Sequence, residues 1–184
     1  MSHADLYDIT VKQIDGVTTT LADYRGDVLL VVNVASKCGL TPQYEQLEAL
    51  YQRLHGEGFT ILGFPANDFM AQEPGTDEDI KAFCSTTFDV QFPLFSKIPV
   101  VGDQRHPLYT ALIAAQPVRI GEGPMRERLE GHGIPTNAAP EVLWNFEKFV
   151  VNRKGDVVAR FAPDVGVEDP RVQDVLDKAL AEAV

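Results

Sequence analysis

The sequence predicts an α/β fold in which helices flank a central mixed β-sheet and a β-hairpin precedes it. Two nearly continuous aliphatic runs, at residues 28–34 and 59–64, are typical of strands covered on both faces. A stripe of apolar residues at helical spacing lies between these runs. A second pair of strand-like runs precedes the last helix. We therefore expect one α/β domain over residues 1–184.

The first elements are a hairpin, a buried strand and a helix. β-prone runs over residues 6–21 flank Asp15-Gly16, a dipeptide that favours tight hairpin turns. After the first aliphatic strand, a helix is predicted from Thr41, which can cap it, with Pro42 at its first position. The second aliphatic strand follows this helix, so the order is β-α-β.

The middle of the chain contains two further predicted helices. One begins at Thr76, and its acidic first turn suits the positive end of the helix dipole. Its expected inward face consists of Ile80, Phe83, Cys84, Thr87 and Phe88. Another helix is predicted after His106-Pro107. The segment 116–140 is rich in Gly, Pro and charge, and we expect a long surface excursion there.

The chain ends with a predicted β-β-α unit. Residues 146–151 and 157–161 are predicted to form a hairpin, and Asp169-Pro170 opens the closing helix. A β-α-β start followed by a β-β-α finish is the thioredoxin-type arrangement. The fold class predicted is therefore α/β and thioredoxin-like.

Charge and composition exclude several classes of function. The net charge of −11 disfavours binding to nucleic acid, which needs a basic surface, and to anionic membranes. Residues 1–6 lack the basic start and apolar stretch of a signal peptide, so a cytoplasmic protein is expected. Two cysteines and four histidines show no CxxC or HxxxH spacing. We therefore expect neither a metal site nor a bound cofactor.

Cys38 lies between a buried strand and a helix start, where open α/β sheets place their ligands. Backbone N–H groups and the helix dipole favour a thiolate at such a position, and Lys37 adds a positive charge. From position alone, redox chemistry and simple packing of a small residue remain open.

Cys84 lies on the apolar face of its helix, where an inert buried thiol is common. The position three residues after Cys38 is Thr41, so the chain has no CxxC motif and a dithiol exchanger is disfavoured. Taken alone, Cys84 is more typical of core packing than of chemistry.

Four sequence blocks, in order along the chain, resemble the hallmark blocks of the glutathione peroxidase family. They are VNVASKCG at 32–39, GFPANDF at 63–69, QEPG at 72–75 and WNFEKF at 144–149. The similarity extends over nearly the whole chain. Two positions depart from the common pattern: Ala66 stands where many relatives have a cysteine, and Asp68 where they have a glutamine.

This resemblance implies a thiol peroxidase that reduces hydrogen peroxide and organic or lipid hydroperoxides to water or alcohols. Cys38 matches the peroxidatic residue, and Gln72, Trp144 and Asn145 match its neighbours. Their amide and indole groups are neutral donors that can hold a thiolate without titrating. Cys84 resembles the resolving cysteine of members that use thioredoxin as reductant.

Several alternatives remain open at the level of sequence. Glutathione could serve as the direct reductant instead of thioredoxin, or the chain could be a peroxide sensor that passes its disulfide to a partner protein. A structural module without thiol chemistry is disfavoured by the four blocks. The preferred peroxide is not determined, and segment 116–140 contains no strong apolar interface, which favours a monomer.

Overall fold

The computed structural model describes residues 5–183. Most of the N-terminal stretch that underlies the expectation of a cytoplasmic protein, residues 1–4, lies outside this range. The predicted hairpin is confirmed but is shorter than expected, with β1 (Thr10–Lys12) antiparallel to β2 (Thr18–Thr20). Gly16 has a φ of 95° in the turn, a conformation that glycine adopts without steric cost.

The central sheet has four strands in the order β4-β3-β5-β6, and it confirms the predicted mixed sheet. The strands are β3 (Val28–Val34), β4 (Phe59–Pro65), β5 (Lys148–Val151) and β6 (Val157–Phe161). β3 is parallel to β4 and antiparallel to β5, and β5 is antiparallel to β6. Every residue of β3 and β4 is buried, as their aliphatic composition predicts.

The strand register brings three loops together at one end of the strands, and this end is called the loop-bearing edge of the sheet. Val34 pairs with Pro65, so β3 and β4 end side by side. Val32 pairs with Lys148, so antiparallel β5 begins near the point where β3 ends. The segments that follow β3 and β4 and the segment that precedes β5 therefore meet at this edge.

Within residues 5–183, five α-helices flank the sheet: α1 (Gln43–Leu54), α2 (Asp77–Phe88), α3 (Pro107–Ala115), α4 (Glu122–Gly131) and α5 (Pro170–Ala181). The predicted starts of α2, α3 and α5 are confirmed, with Thr76, His106 and Asp169 as N-caps. No helix within residues 5–183 is both long and apolar enough to cross a membrane.

Helix α1 begins one residue later than predicted, at Gln43 instead of Pro42. Pro42 is its N-cap and makes no side-chain cap hydrogen bond. The Thr41 hydroxyl, which was expected to cap the helix, instead accepts a hydrogen bond from the Cys38 backbone N–H at 3.0 Å. It also donates to the Ala35 carbonyl at 2.7 Å. Thr41 therefore closes the loop around Cys38 and does not cap α1.

Helix α2 is fixed at its N-terminus by a capping box between Thr76 and Asp79. Ile80 and Cys84 are buried on its inner face, as predicted. The expected inward position of Thr87 is wrong, because this residue is exposed. The helix ends at Asp89, whose φ of 50° is in the left-handed region.

The segment 116–140 was predicted to be an irregular excursion, and this prediction is wrong in part. It contains α4, whose Met125 and Leu129 are buried one turn apart. Before α4, the Ile120 backbone N–H donates a hydrogen bond to the Arg160 carbonyl of the edge strand β6 at 2.9 Å. The segment is therefore attached to the edge of the sheet.

Candidate active site

Cys38 lies in the loop between β3 and α1, with 8% of its surface exposed. The Thr41 backbone N–H donates to the Cys38 carbonyl at 3.0 Å, and the Thr41 hydroxyl binds the Cys38 N–H. These bonds hold the loop in one conformation. Cys38 therefore lies in a hydrogen-bonded turn at the end of a buried strand and is not completely buried.

Backbone and side-chain donors surround the Cys38 sulfur. The Leu40 backbone N–H donates to Sγ at 3.3 Å, and the side chains of Trp144 and Asn145 also form hydrogen bonds with it. Hydrogen bonds to a thiolate stabilise the charged form and lower the pKa. With the Thr41 backbone N–H, the site supplies two backbone donors and two neutral side-chain donors to a single sulfur.

Burial nevertheless raises the pKa of the Cys38 thiol above its usual value, and the donors offset only part of this effect. The sequence had suggested a net stabilisation of the thiolate, with help from Lys37. Burial raises the pKa of Glu73, and the positive charges of Lys97 and of exposed Lys37 offset part of that rise. The loss of hydration at the strand end therefore outweighs the helix-start environment.

Gln72 reaches the site through Asn145. The Asn145 amide Nδ2 donates to Gln72 Oε1 at 3.0 Å. The Gln72 backbone carbonyl accepts from the Lys37 N–H at 3.0 Å, which joins the loop after β4 to the loop of Cys38. Gln72 therefore orients the Asn145 amide and connects two of the three loops at this edge of the sheet.

Trp144 and Asn145 are held by two residues that the sequence analysis did not identify. The Asn33 side chain donates to the Trp144 carbonyl at 3.2 Å, and the Asn33 carbonyl accepts from the Phe146 N–H at 2.6 Å. The ring of Phe69 lies 5.3 Å from that of Trp144. A polar asparagine within an otherwise aliphatic strand is a sequence signal that could have identified Asn33.

Cys84 occupies a different environment. Its thiol has no exposed surface and lies near Tyr44 of α1 and the buried Glu73. Burial raises the pKa of Cys84 to about 11, and the negative charge of Glu73 acts in the same direction. Both cysteines are free thiols. The structure therefore groups four of the five predicted site residues and leaves Cys84 in the core.

The two departures from the family pattern lie in the loop that begins at the end of β4. Ala66 is fully buried, and its N–H donates to the Val34 carbonyl at 3.0 Å. Asp68 accepts a hydrogen bond from the Val100 N–H at 2.7 Å, and burial raises the pKa of its carboxyl. Asp68 therefore anchors the neighbouring loop through Val100.

Comparison with known proteins agrees with this geometry. Residues 6–113 match the model of the family described as glutathione peroxidase. Thioredoxin/glutathione peroxidase BtuE of Escherichia coli K12 is 53% identical, over 94% of this chain and 95% of its own length. Hydroperoxy fatty acid reductase gpx1 of Synechocystis is 46% identical over 85% of each chain.

Solved structures show the same relationship. The apo form of Trgpx is 34% identical with a TM-score of 0.73, and it covers 99% of both chains. T. cruzi GPX1 is 32% identical with a TM-score of 0.68 over 96% of both chains. A thioredoxin family protein of Chlorobium tepidum, 14% identical over 98% of this chain and 99% of its own with a TM-score of 0.58, shares the thioredoxin-like fold. The chain thus belongs to the glutathione peroxidase family and is a thiol peroxidase that reduces hydroperoxides.

Proposed function

We propose that Cys38 is the residue that reacts with the hydroperoxide. The observation that carries this proposal is the convergence of Leu40 N–H, Trp144 and Asn145 on the sulfur of a residue that is 8% exposed. The Cys38 thiolate attacks one oxygen of the O–O bond and becomes a sulfenic acid. The other oxygen leaves as water or an alcohol after it takes up a proton.

The neighbouring amides and indole have two roles in this step. Their N–H groups stabilise the thiolate before attack and the negative charge that develops on the leaving oxygen. Because amides and indole do not titrate near neutral pH, they donate at every pH at which the thiolate exists. Gln72 keeps the Asn145 amide in place through its 3.0 Å hydrogen bond.

Cys84 is the proposed resolving residue. Its thiol attacks the sulfenic acid of Cys38, which forms a disulfide and releases water. A disulfide requires Cα atoms within about 7 Å of each other. Because Cys84 has no exposed surface on α2, this step requires α2 to open locally. The Cys84 carbonyl accepts from the N–H groups of Asp89 and Val90, so opening at the C-terminal end releases it.

Thioredoxin is the proposed reductant of the Cys38–Cys84 disulfide. A dithiol protein attacks one sulfur, forms a mixed disulfide and leaves as its own disulfide, which restores both thiols. The Escherichia coli relative is named for both thioredoxin and glutathione, which keeps glutathione as the alternative reductant. The reducing cytoplasm suits either cycle. The name of the Synechocystis relative supports fatty acid hydroperoxides among the substrates.

The test is NADPH consumption coupled through thioredoxin and thioredoxin reductase with hydrogen peroxide. The wild type, Cys38→Ser and Cys84→Ser are compared, and each is also assayed with glutathione and glutathione reductase. We expect thioredoxin-driven turnover in the wild type alone. Activity in Cys38→Ser would contradict the assignment of the peroxide-reacting residue. Equal thioredoxin-driven rates in wild type and Cys84→Ser would leave Cys84 as a core thiol.

A further inference from the structure

A buried ionic cluster lies directly behind the Trp144–Asn145 segment. Glu147, two residues after Asn145, has no exposed surface. Its carboxylate accepts from Arg160 Nε at 2.6 Å and from Arg119, through one guanidinium nitrogen, at 3.1 Å to each oxygen. Both arginines are themselves buried. The proposed peroxidase mechanism uses none of these three charges.

The Glu147 carboxylate also accepts a hydrogen bond from a backbone group four residues earlier in the chain. Oε1 accepts from the Leu143 backbone N–H at 2.9 Å, so one side chain bonds to the residue before Trp144. The segment between Leu143 and Glu147 includes Phe146, whose φ of 70° is uncommon for a residue with a side chain. A strained turn of this kind persists only where its surroundings impose it. Glu147 thus links the two ends of the turn that contains Trp144 and Asn145.

The two arginines also donate hydrogen bonds to backbone carbonyls of the segment 116–140 and of the residue after it. Arg119 donates to the Glu141 carbonyl at 2.9 Å, and Arg160 donates to the Pro140 carbonyl at 2.8 Å and to the Gln116 carbonyl at 3.2 Å. The cluster therefore joins both ends of this segment to the residues that precede Trp144. It gives the segment a physical connection to the reaction centre.

A buried ion cluster is weak evidence for stability, because removing charges from water costs free energy that their attraction need not recover. The better-supported role of such a cluster is to hold neighbouring groups in one defined arrangement. We propose that Glu147, held by Arg119 and Arg160, is a positioning residue that sets the orientation of Trp144 and Asn145 toward the Cys38 sulfur. This inference rests on the proposed function, which assigns those two donors to the thiol.

The experiment uses Glu147→Gln, which keeps the size of the side chain and an acceptor for the Leu143 N–H but removes the charge. Trp144 is the only tryptophan of the chain, so intrinsic emission reports on that side chain directly. We expect emission at longer wavelength, a further rise in the pKa of Cys38 measured by thiolate absorbance, and a rate of Cys38 oxidation by hydrogen peroxide lowered about tenfold.

Arg153→Gln is the matched control. Arg153 also donates to several backbone carbonyls, those of Gly26, Glu57 and Leu180, but these lie toward the start of β3, whereas Cys38 follows its end. A seven-residue strand separates the two regions by about 20 Å. We expect Arg153→Gln to lower the melting temperature without a change in Trp144 emission, Cys38 pKa or oxidation rate.

The inference is overturned if Glu147→Gln lowers stability as Arg153→Gln does and leaves the three readouts at wild-type values, or if both variants change them equally. Should Glu147→Gln fail to fold, Arg119→Gln decides, because Arg160 still neutralises Glu147. Smaller changes in the same direction then support the inference, and unchanged readouts overturn it. Trp144 emission is measured without turnover, so this result is distinct from failure of the peroxidase assignment itself.

Discussion

The two cysteines of this chain are both raised in pKa by burial, but their surroundings differ in kind. Cys38 is surrounded by four hydrogen-bond donors in a hydrogen-bonded loop and retains 8% exposure. Cys84 has no exposure, and the charge of Glu73 adds to the effect of burial on its pKa of about 11. Burial thus favours the protonated form of both thiols, but hydrogen-bond donors offset part of this effect at Cys38, whereas a nearby negative charge adds to it at Cys84.

In the proposed cycle, this difference assigns the two thiols to successive steps. A thiolate at Cys38 is stabilised by donors that are already in place, so attack on peroxide needs no rearrangement. Cys84 gains reactivity only when α2 opens and water reaches its sulfur. In the proposed cycle, preorganisation at Cys38 and burial at Cys84 separate the two steps.

The largest effect is expected from removing a donor at Cys38. Asn145→Ala should lower the second-order rate of Cys38 oxidation by about 100-fold, because one preorganised donor to the reacting groups is lost. The rate is measured by stopped-flow fluorescence in a single turnover. Asn152→Ala is the control, since Asn152 accepts hydrogen bonds from Lys154 and Asp156 in the β5–β6 turn, away from the sulfur. A loss of less than threefold in Asn145→Ala would contradict the role of this amide.

The pH dependence of oxidation is expected to follow the raised pKa of Cys38. Only the thiolate attacks peroxide, and its fraction rises about tenfold per pH unit below the pKa. Because burial places that pKa above the usual value of a thiol, the oxidation rate should rise throughout the range from about pH 6 to pH 8. Single-turnover rates across this range are the measurement. A rate that is already constant below pH 7 would show that the donors outweigh burial.

The sequence predicted best what depends on neighbouring residues. The aliphatic run at β3 and the capping residue Thr76 are local signals, and both are confirmed by the structure. The four sequence blocks predicted the residues that the structure groups around Cys38, although their catalytic roles stay predictions. Helix α4 was missed because Gly123, Pro124 and Gly131 obscure its short apolar face.

Properties that depend on distant contacts could not be predicted in the same way. The upward shift in the pKa of Cys38 results from how three loops together exclude water from one sulfur, and no single motif encodes that balance. The bonds of Glu147 join residues that are 28 positions apart in one case and 13 in the other. Such pairs leave no periodic pattern in the sequence, so only the folded arrangement identifies them.

The smallest expected effect concerns the opening of α2. Asp89 ends this helix at a φ of 50°, where a residue with a side chain is disfavoured by about 1 kcal/mol relative to glycine. Asp89→Gly should therefore stabilise the C-terminal end of α2 and slow resolution of the Cys38 sulfenic acid by Cys84 about fivefold, without a change in the peroxide step. The lifetime of the sulfenic acid, measured by trapping with dimedone, gives the resolution rate.

The matched variant for this comparison is Thr76→Ala, which removes the capping box at the other end of α2 and costs about 1 kcal/mol. If Cys84 is released by opening at the C-terminal end, Thr76→Ala lowers stability but leaves the lifetime of the sulfenic acid unchanged. Faster resolution in Thr76→Ala, with no effect of Asp89→Gly, would instead place the opening at the N-terminal end. The capping box would then regulate the access of Cys84 to the peroxide-oxidised sulfur.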